Sequence, residues 1–349
     1  MNCLKSLVIV CLIGLLSACS SNISPIVTST SQPTEIPTNA PTLTTISTLT
    51  PTSIPVVWQK YKMTYLIKIG GSGKLWMPAP RNWEELNGMR NISIVDISPK
   101  PNDEYQDEQG NSIVFWNRNG SKEYSITFEL DLSPIYYSID PKKIGEYDFS
   151  ETEYIRYTQP SSRIESSDTK IIELAKAIVG NETNPYLQAQ KIHGWVSNNI
   201  KGEGYGGETA LTTLEKKSGS CGGHSFLFIS LLRALGIPAR TIGGLHTAYS
   251  GDFENADWKD GNLHTHIWSE FFLQNYGWVQ SDTSAGNQNF GEINEKRVVL
   301  FRGEDIILGH DYPLDTIPWF HMPQTNTLGN SDPMTQTIGE YLRLAVEKK

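Results

Sequence analysis

The chain has 349 residues, 38 acidic against 29 basic side chains for a formal net charge of −9, 38% hydrophobic residues and nine tryptophans. This balance argues against a nucleic-acid binder, which displays a basic face, and the apolar and aromatic content is enough for well-packed cores. Of the four cysteines, Cys3, Cys11 and Cys19 lie in the first nineteen residues, which leaves Cys221 alone in the remainder. A thiol with no partner in its own folded chain is either an inert core residue or a reactive group.

In chain order, Lys5 supplies a short positive region and Leu7 to Leu16 an apolar run of about ten residues, too short to span a bilayer. Leu16-Ser17-Ala18-Cys19 resembles the bacterial lipobox, whose cysteine becomes the lipidated first residue after cleavage. That resemblance implies a signal peptide over residues 1–19 and an extracytoplasmic protein anchored to the membrane through lipidated Cys19. The plainer alternative is an ordinary signal peptide cut near Ala18. Residues 20–56 are dominated by Thr, Ser and Pro, as in Thr28-Ser29-Thr30 and Pro51-Thr52. They have no core to bury and read as an extended stalk. No second apolar segment is long enough to cross a membrane, and no internal repeat is visible.

Residues 57–150 carry β patterning. Tyr61, Met63, Tyr65, Ile67 and Ile69 fall on alternate positions, the period of a half-buried strand, and Tyr124 to Leu132 repeat it. The turn signal Asn119-Gly120 after Ile113-Val114-Phe115-Trp116 predicts a hairpin between these last two segments. The expectation is a small all-β domain in a supporting or substrate-presenting role.

The pattern changes to helical spacing in residues 151–310. Asp168 caps a helix carrying Ile171, Leu174, Ala175 and Ile178. Asn184-Pro185 opens a second helix with Leu187, Ile192, Trp195 and Val196. A third starts near Cys221 and runs through Phe226-Leu227-Phe228-Ile229 to Leu235 before Gly236 and Pro238. It is apolar nearly all round, so it is expected to be central and buried. Strands are predicted at Ala239–His246, His264–Leu273, Trp278–Asp282, Val298–Phe301 and Asp305–Leu308. Helices followed by an antiparallel sheet make an α+β class. Residues 311–349 read as a C-terminal extension with a short helix over Ile338–Val346 and no assignable function.

Cys221 sits in Ser218-Gly219-Ser220-Cys221-Gly222-Gly223-His224. A cysteine in the first helical turn lies among unpaired backbone N–H groups, where the helix dipole favours the thiolate. Flanking glycines admit a substrate backbone, and a nearby N–H can serve as an oxyanion donor. A thiol nucleophile needs a base, and the base an orienter. His264 and His266 occupy one predicted strand and Asp282 ends the next. A three-residue loop over Gln274–Tyr276 places Trp268 opposite Asp282, with His266 and Asp282 on one face a diagonal step apart. A two- or four-residue loop separates them.

Gly219-Ser220-Cys221-Gly222-Gly223-His224-Ser225 and Leu231-Leu232-Arg233-Ala234-Leu235-Gly236-Ile237-Pro238-Ala239-Arg240 resemble the nucleophile helix of the transglutaminase-like superfamily. His266-Ile267-Trp268-Ser269-Glu270 and Gly277-Trp278-Val279-Gln280-Ser281-Asp282 resemble its histidine and aspartate segments. The likeness covers roughly residues 167–284, with the motifs in family order. It implies a papain-like core with helices packed on an antiparallel sheet, Cys221 as nucleophile, His266 as general base and acid, and Asp282 as orienter. The family has a small residue after the histidine where this chain has Ile267, a departure that concerns packing. The implied activity is acyl transfer at an amide or peptide bond through a thioester, with hydrolysis favoured slightly over cross-linking. The expected partners are a protein or peptide substrate and an amine acceptor, and no cofactor is required.

Two alternatives stand beside this. The same fold can serve as a non-catalytic binding or scaffold module. Cys221, His224, His264 and His266 also offer ligands for zinc. His224 reads as a packing residue, His264 as a pocket wall, Tyr205 as a turn residue or oxyanion donor, and Asp252 to Gly261 as a solvated loop without calcium-loop spacing.

Overall fold

A computed structural model of the chain describes residues 57–83, 85–120, 122–204, 208–247, 256–257, 263–286, 289–294, 296–327 and 341–349. The expected signal, lipobox and stalk, together with Tyr205, lie outside the described residues. The first part of the chain is all β: β1 (Gln59–Ile69), β2 (Gly73–Ala79), β3 (Met89–Ser98), β4 (Asp103–Gln106), β5 (Ser112–Arg118), β6 (Lys122–Leu132) and β7 (Ile135–Tyr136). Helices follow: α1 (Thr152–Thr158), α2 (Thr169–Val179), α3 (Pro185–Asn199), α4 (Ala210–Lys216) and α5 (Cys221–Arg233). The remaining strands are β8 (Ala239–Thr247), β9 (Ala256–Asp257), β10 (Leu263–Leu273), β11 (Gly277–Ser281), β12 (Glu292–Ile293), β13 (Arg297–Arg302), β14 (Gln324–Thr327) and β15 (Tyr341–Lys348). This is the α+β class with a β region first.

Alternation in β1 buries Tyr61, Met63, Tyr65, Ile67 and Ile69 and leaves the intervening residues outside. These face the partner sheet of a sandwich. One sheet has the order β3-β6-β1-β15-β9 and the other β14-β2-β5-β4. Here β5 and β6 differ from the predicted hairpin, because β5 pairs with β2 and β4 while β6 pairs with β1 and β3. The reason lies in burial on both faces of β5. Val114 and Trp116 enter the sandwich core, whereas Ile113 and Phe115 enter a second cluster with Phe301 and Phe320. A strand covered on both sides belongs inside its own sheet, so Asn119-Gly120 turns a corner between sheets.

Caps place the helices as expected. The Asp168 and Asn184 side chains accept from the first-turn N–H groups of α2 and α3. In α5 every residue from Gly222 to Arg233 is buried, and each of its large apolar side chains contributes roughly 1.5–3 kcal/mol of burial. The four-stranded sheet β11-β10-β8-β13 carries the helices against Phe271, Leu273 and Val279. Ile242, Leu245, Trp268 and Val298 to Leu300 of the same sheet join the sandwich core. The stretches 57–150, 151–310 and 311–349 therefore share packing.

Two expectations late in the chain are corrected. Asp305–Leu308 is no strand: Gly303 and Asp305 adopt φ of +83° and 55°, and Ile306 makes a single bridge to Ile317. The left-handed residues break the ladder before it can propagate. The C-terminal helix is instead β15, paired with β1 from Tyr61 opposite Lys348 to Lys68 opposite Tyr341. Leu342, Leu344 and Val346 have a period of two, and Leu344 is 1% exposed in the sandwich core. Leu344→Ala is expected to cost about 3 kcal/mol, read as a lowered urea midpoint with an unchanged m-value. No loss would mean that β15 adds little to the core.

Candidate active site

The start of α5 is fixed from three directions. Ser220 caps the helix, its Oγ accepting from the Gly223 N–H at 3.5 Å. The buried Glu208 carboxylate accepts from the Ser220 N–H at 3.1 Å and from its Oγ–H at 3.0 Å. Gly223 lets α5 approach α4, because a Cβ there would stand 2.6 Å from Thr213 Oγ1. Cys221 thus begins the helix with its N–H and that of Gly222 unable to find intrahelical carbonyls. The residue keeps partial solvent access while packing beside the cluster of Ile267, Phe301 and Phe320.

The predicted register holds. β10 and β11 pair from Leu273 opposite Gly277 to Ser269 opposite Ser281, which carries Trp268 to the level of Asp282. Asn275 and Gly277 adopt φ of 73° and 78° in the turn. Asparagine and glycine tolerate that left-handed region best. His266 Nε2–H donates to Asp282 Oδ2 at 2.7 Å, which commits the ring and leaves Nδ1 for sulfur. The ring hydrogen-bonds Cys221. It also stacks on Trp268 at 5.9 Å, and the Trp268 Nε1–H is anchored on Gln280 at 3.0 Å.

Asp282 is 1% exposed and fully engaged. Arg297 Nη1 donates to Oδ2 at 2.7 Å, and Ser284 donates to Oδ1 from its N–H at 3.1 Å and its hydroxyl at 2.7 Å. Burial would raise this carboxyl, but the charges of His266 and Arg297 and these hydrogen bonds hold it well below the usual carboxylate range. Burial likewise opposes an imidazolium at His266, yet the adjacent carboxylate and sulfur raise it to about 9. For Cys221, burial pushes the thiol up. The hydrogen bond and charge of His266, with the Ile267 N–H, outweigh it and bring the thiol below its ordinary value. The arrangement favours a thiolate beside an imidazolium.

The structure therefore brings Cys221, His266 and Asp282 together and separates the other candidates. His224 Nε2–H donates toward the Lys201 carbonyl at 3.4 Å. The backbone of His264 pairs with His246 on β8, and its side chain lies outside the described residues. Among the described residues no three His, Cys, Asp or Glu side chains are grouped to hold a metal ion. Of the acidic loop, only Ala256–Asp257 is described, as β9. Ile267 is 2% exposed, filling space between α5 and β13. Sequence reasoning missed Arg297, Glu208 and His246, whose ring lies 5.3 Å from that of His266. Glu270, at the end of the histidine motif, ties strands together by accepting from Arg240 on β8 at 2.9 Å and Arg302 on β13 at 3.2 Å.

The turn carrying Asp282 rests on a buried histidine. His193 Nδ1 accepts from the Ser281 hydroxyl at 2.8 Å, and its Nε2–H donates to the Gly286 carbonyl at 3.4 Å. Burial lowers His193 from an ordinary 6.5 to about 4. The unfolded chain takes up a proton that the fold refuses, so stability is full above pH 6.5 and is lost as pH falls towards 4. His224 and His321 are lowered as well and act in the same direction. Urea midpoints are expected to fall between pH 7 and pH ~4.5. The slope should flatten in His193→Gln, and an unchanged slope would remove His193 from this account.

Against known proteins, the model of the transglutaminase-like superfamily matches residues 172–283. The chain carries a transglutaminase-like core. The matched segment runs from α2 to the residue after Asp282. A crystal structure named "a Putative Cysteine Protease" from Cytophaga hutchinsonii has the same fold, with a TM-score of 0.53 and 17% identity over 83% of this chain and 98% of that one. An uncharacterized Haemophilus influenzae protein is 27% identical, covering 61% of this chain and 64% of the relative. Bacillus subtilis YebA, also uncharacterized, is 27% identical over 48% of this chain and 24% of its own length. The chain thus spans less than two thirds of the length of either relative. No helix among the described residues is long and apolar enough to cross a membrane.

Proposed function

We propose that the transglutaminase-like core performs thiol-dependent acyl transfer at amide or peptide bonds, with hydrolysis ahead of cross-linking. The observation that carries this reading is the hydrogen-bonded series Cys221–His266–Asp282 at the start of a buried helix. The Cys221 thiolate attacks the carbonyl carbon. The tetrahedral intermediate collapses as the C–N bond breaks, and the His266 imidazolium gives its proton to the departing amine. A thioester remains. Water activated by neutral His266 hydrolyses it, or an amine takes the acyl group instead. Asp282 keeps Nε2–H in place so that Nδ1 meets sulfur throughout.

The substrate is a protein or peptide, and the site is held outside the cytoplasm by lipidated Cys19. Mass spectrometry of glutamine-containing peptides incubated with the protein, with and without a primary amine, separates the two outcomes. Chain cleavage or a one-dalton deamidation shift is expected in both samples. An amine adduct as the main product would reverse the preference for hydrolysis. No Cys221-dependent product from any peptide, with iodoacetamide labelling Cys221 no faster than a free peptide thiol, would return the core to a binding role.

A further inference from the structure

The stretch after β13 sets a buried imidazole against the aromatic cluster beside which Cys221 packs. His321 is 5% exposed. Its ring centroid lies 6.2 Å from Phe301 of β13 and 6.2 Å from Trp319, and Trp319 stacks on Phe226 of α5 at 5.7 Å. Phe301, Phe320 and Ile267 form the cluster against which Cys221 packs. Phe301 also closes on the strand beside the base, since a Cβ on Gly243 would stand 2.5 Å from its ring and 2.7 Å from the His266 carbonyl. The Nδ1 atom of His321 is buried and has no hydrogen-bond partner among the described residues. Leaving such a group unpaired is costly, and an apolar side chain would fill the space without that cost.

We propose that His321 is a side-chain donor to the acyl oxygen of the substrate held at Cys221. Burial and the positive charge of His266 lower His321 to about 3, so the ring stays neutral and carries one N–H. When sulfur bonds to the carbonyl carbon, the π pair moves to oxygen. The His321 Nδ1–H and the free N–H groups at the start of α5 receive the oxyanion. Collapse re-forms the C=O as the leaving group departs with the proton from His266. A neutral donor suits this position because it stabilises oxygen without competing with His266 for the proton.

This inference rests on the acyl-transfer reading, and two reagents keep the two apart. Alkylation of Cys221 by iodoacetamide forms no oxyanion, whereas acylation by p-nitrophenyl acetate does. With the full chain, His321→Leu is expected to slow the nitrophenolate burst about 100-fold while leaving the alkylation rate within about twofold. The melting temperature should not fall, because an orphaned polar group has been removed. His321→Asn, which keeps an N–H near the Nδ1 position, should restore much of the burst. Unchanged acylation in His321→Leu overturns the proposal, as does a parallel loss of acylation and alkylation. If His321→Leu does not fold, His321→Met carries the same comparison. Wild-type protein that is alkylated but never acylated fells the acyl-transfer reading and this proposal with it.

Discussion

His266→Gln is expected to lower kcat/KM for a peptide amide on the order of 10⁴-fold, and Cys221→Ala to remove the activity altogether. The glutamine variant keeps a polar side chain of similar reach but cannot carry a proton to the leaving amine. It also withdraws the charge that offsets burial at the sulfur. The thiol of His266→Gln should therefore rise above its ordinary value, and iodoacetamide labelling at pH ~7 should slow in step with it. A variant that loses turnover yet labels at the wild-type rate would show that His266 moves protons without setting the thiolate population. One that keeps both would dismiss it as the base.

Asp282→Asn should be the most damaging single change to the fold and the chemistry together. Arg297 is 6% exposed and its Nη1 pairs with Asp282 Oδ2 at 2.7 Å. Neutralising the carboxylate strands a buried guanidinium, a loss of about 3–5 kcal/mol in urea or thermal unfolding. Turnover should fall about 10⁴-fold, because the amide can present its N–H to Nε2 and fix the wrong tautomer. Arg297→Met added to Asp282→Asn is expected to recover part of the stability and none of the activity. Additive stability losses in that cycle would mean that the two residues do not act as a pair.

The central part of the site is legible because its geometry is local. The spacing from His266 through a three-residue turn to Asp282 fixes the register, and the helix opening at Cys221 is marked by Ser220 and two glycines. What escaped was long-range. Alternation says which side chains of β5 and β6 point inward but not which sheet each joins. The period of two in Leu342, Leu344 and Val346 was present, yet without a partner strand it competed with a helical reading of the same apolar residues. Arg297 and Glu208 arrive at the site from β13 and from the segment before α4. No motif spacing links them to Cys221. Their chemistry follows from burial, which only the assembled core supplies.

The position of β1 also has a mechanical consequence. The strand is hydrogen-bonded along its length to β6 on one edge and to β15 on the other, and the Gln59 side-chain amide donates to the Lys349 carbonyl at 2.8 Å. A pull on the chain ahead of Gln59 therefore loads two antiparallel ladders in shear, with many bonds strained at once. A strand at an edge would set only one ladder against the same pull. Tension from that side is resisted in the sandwich before it can reach the sheet that holds His266 and Asp282.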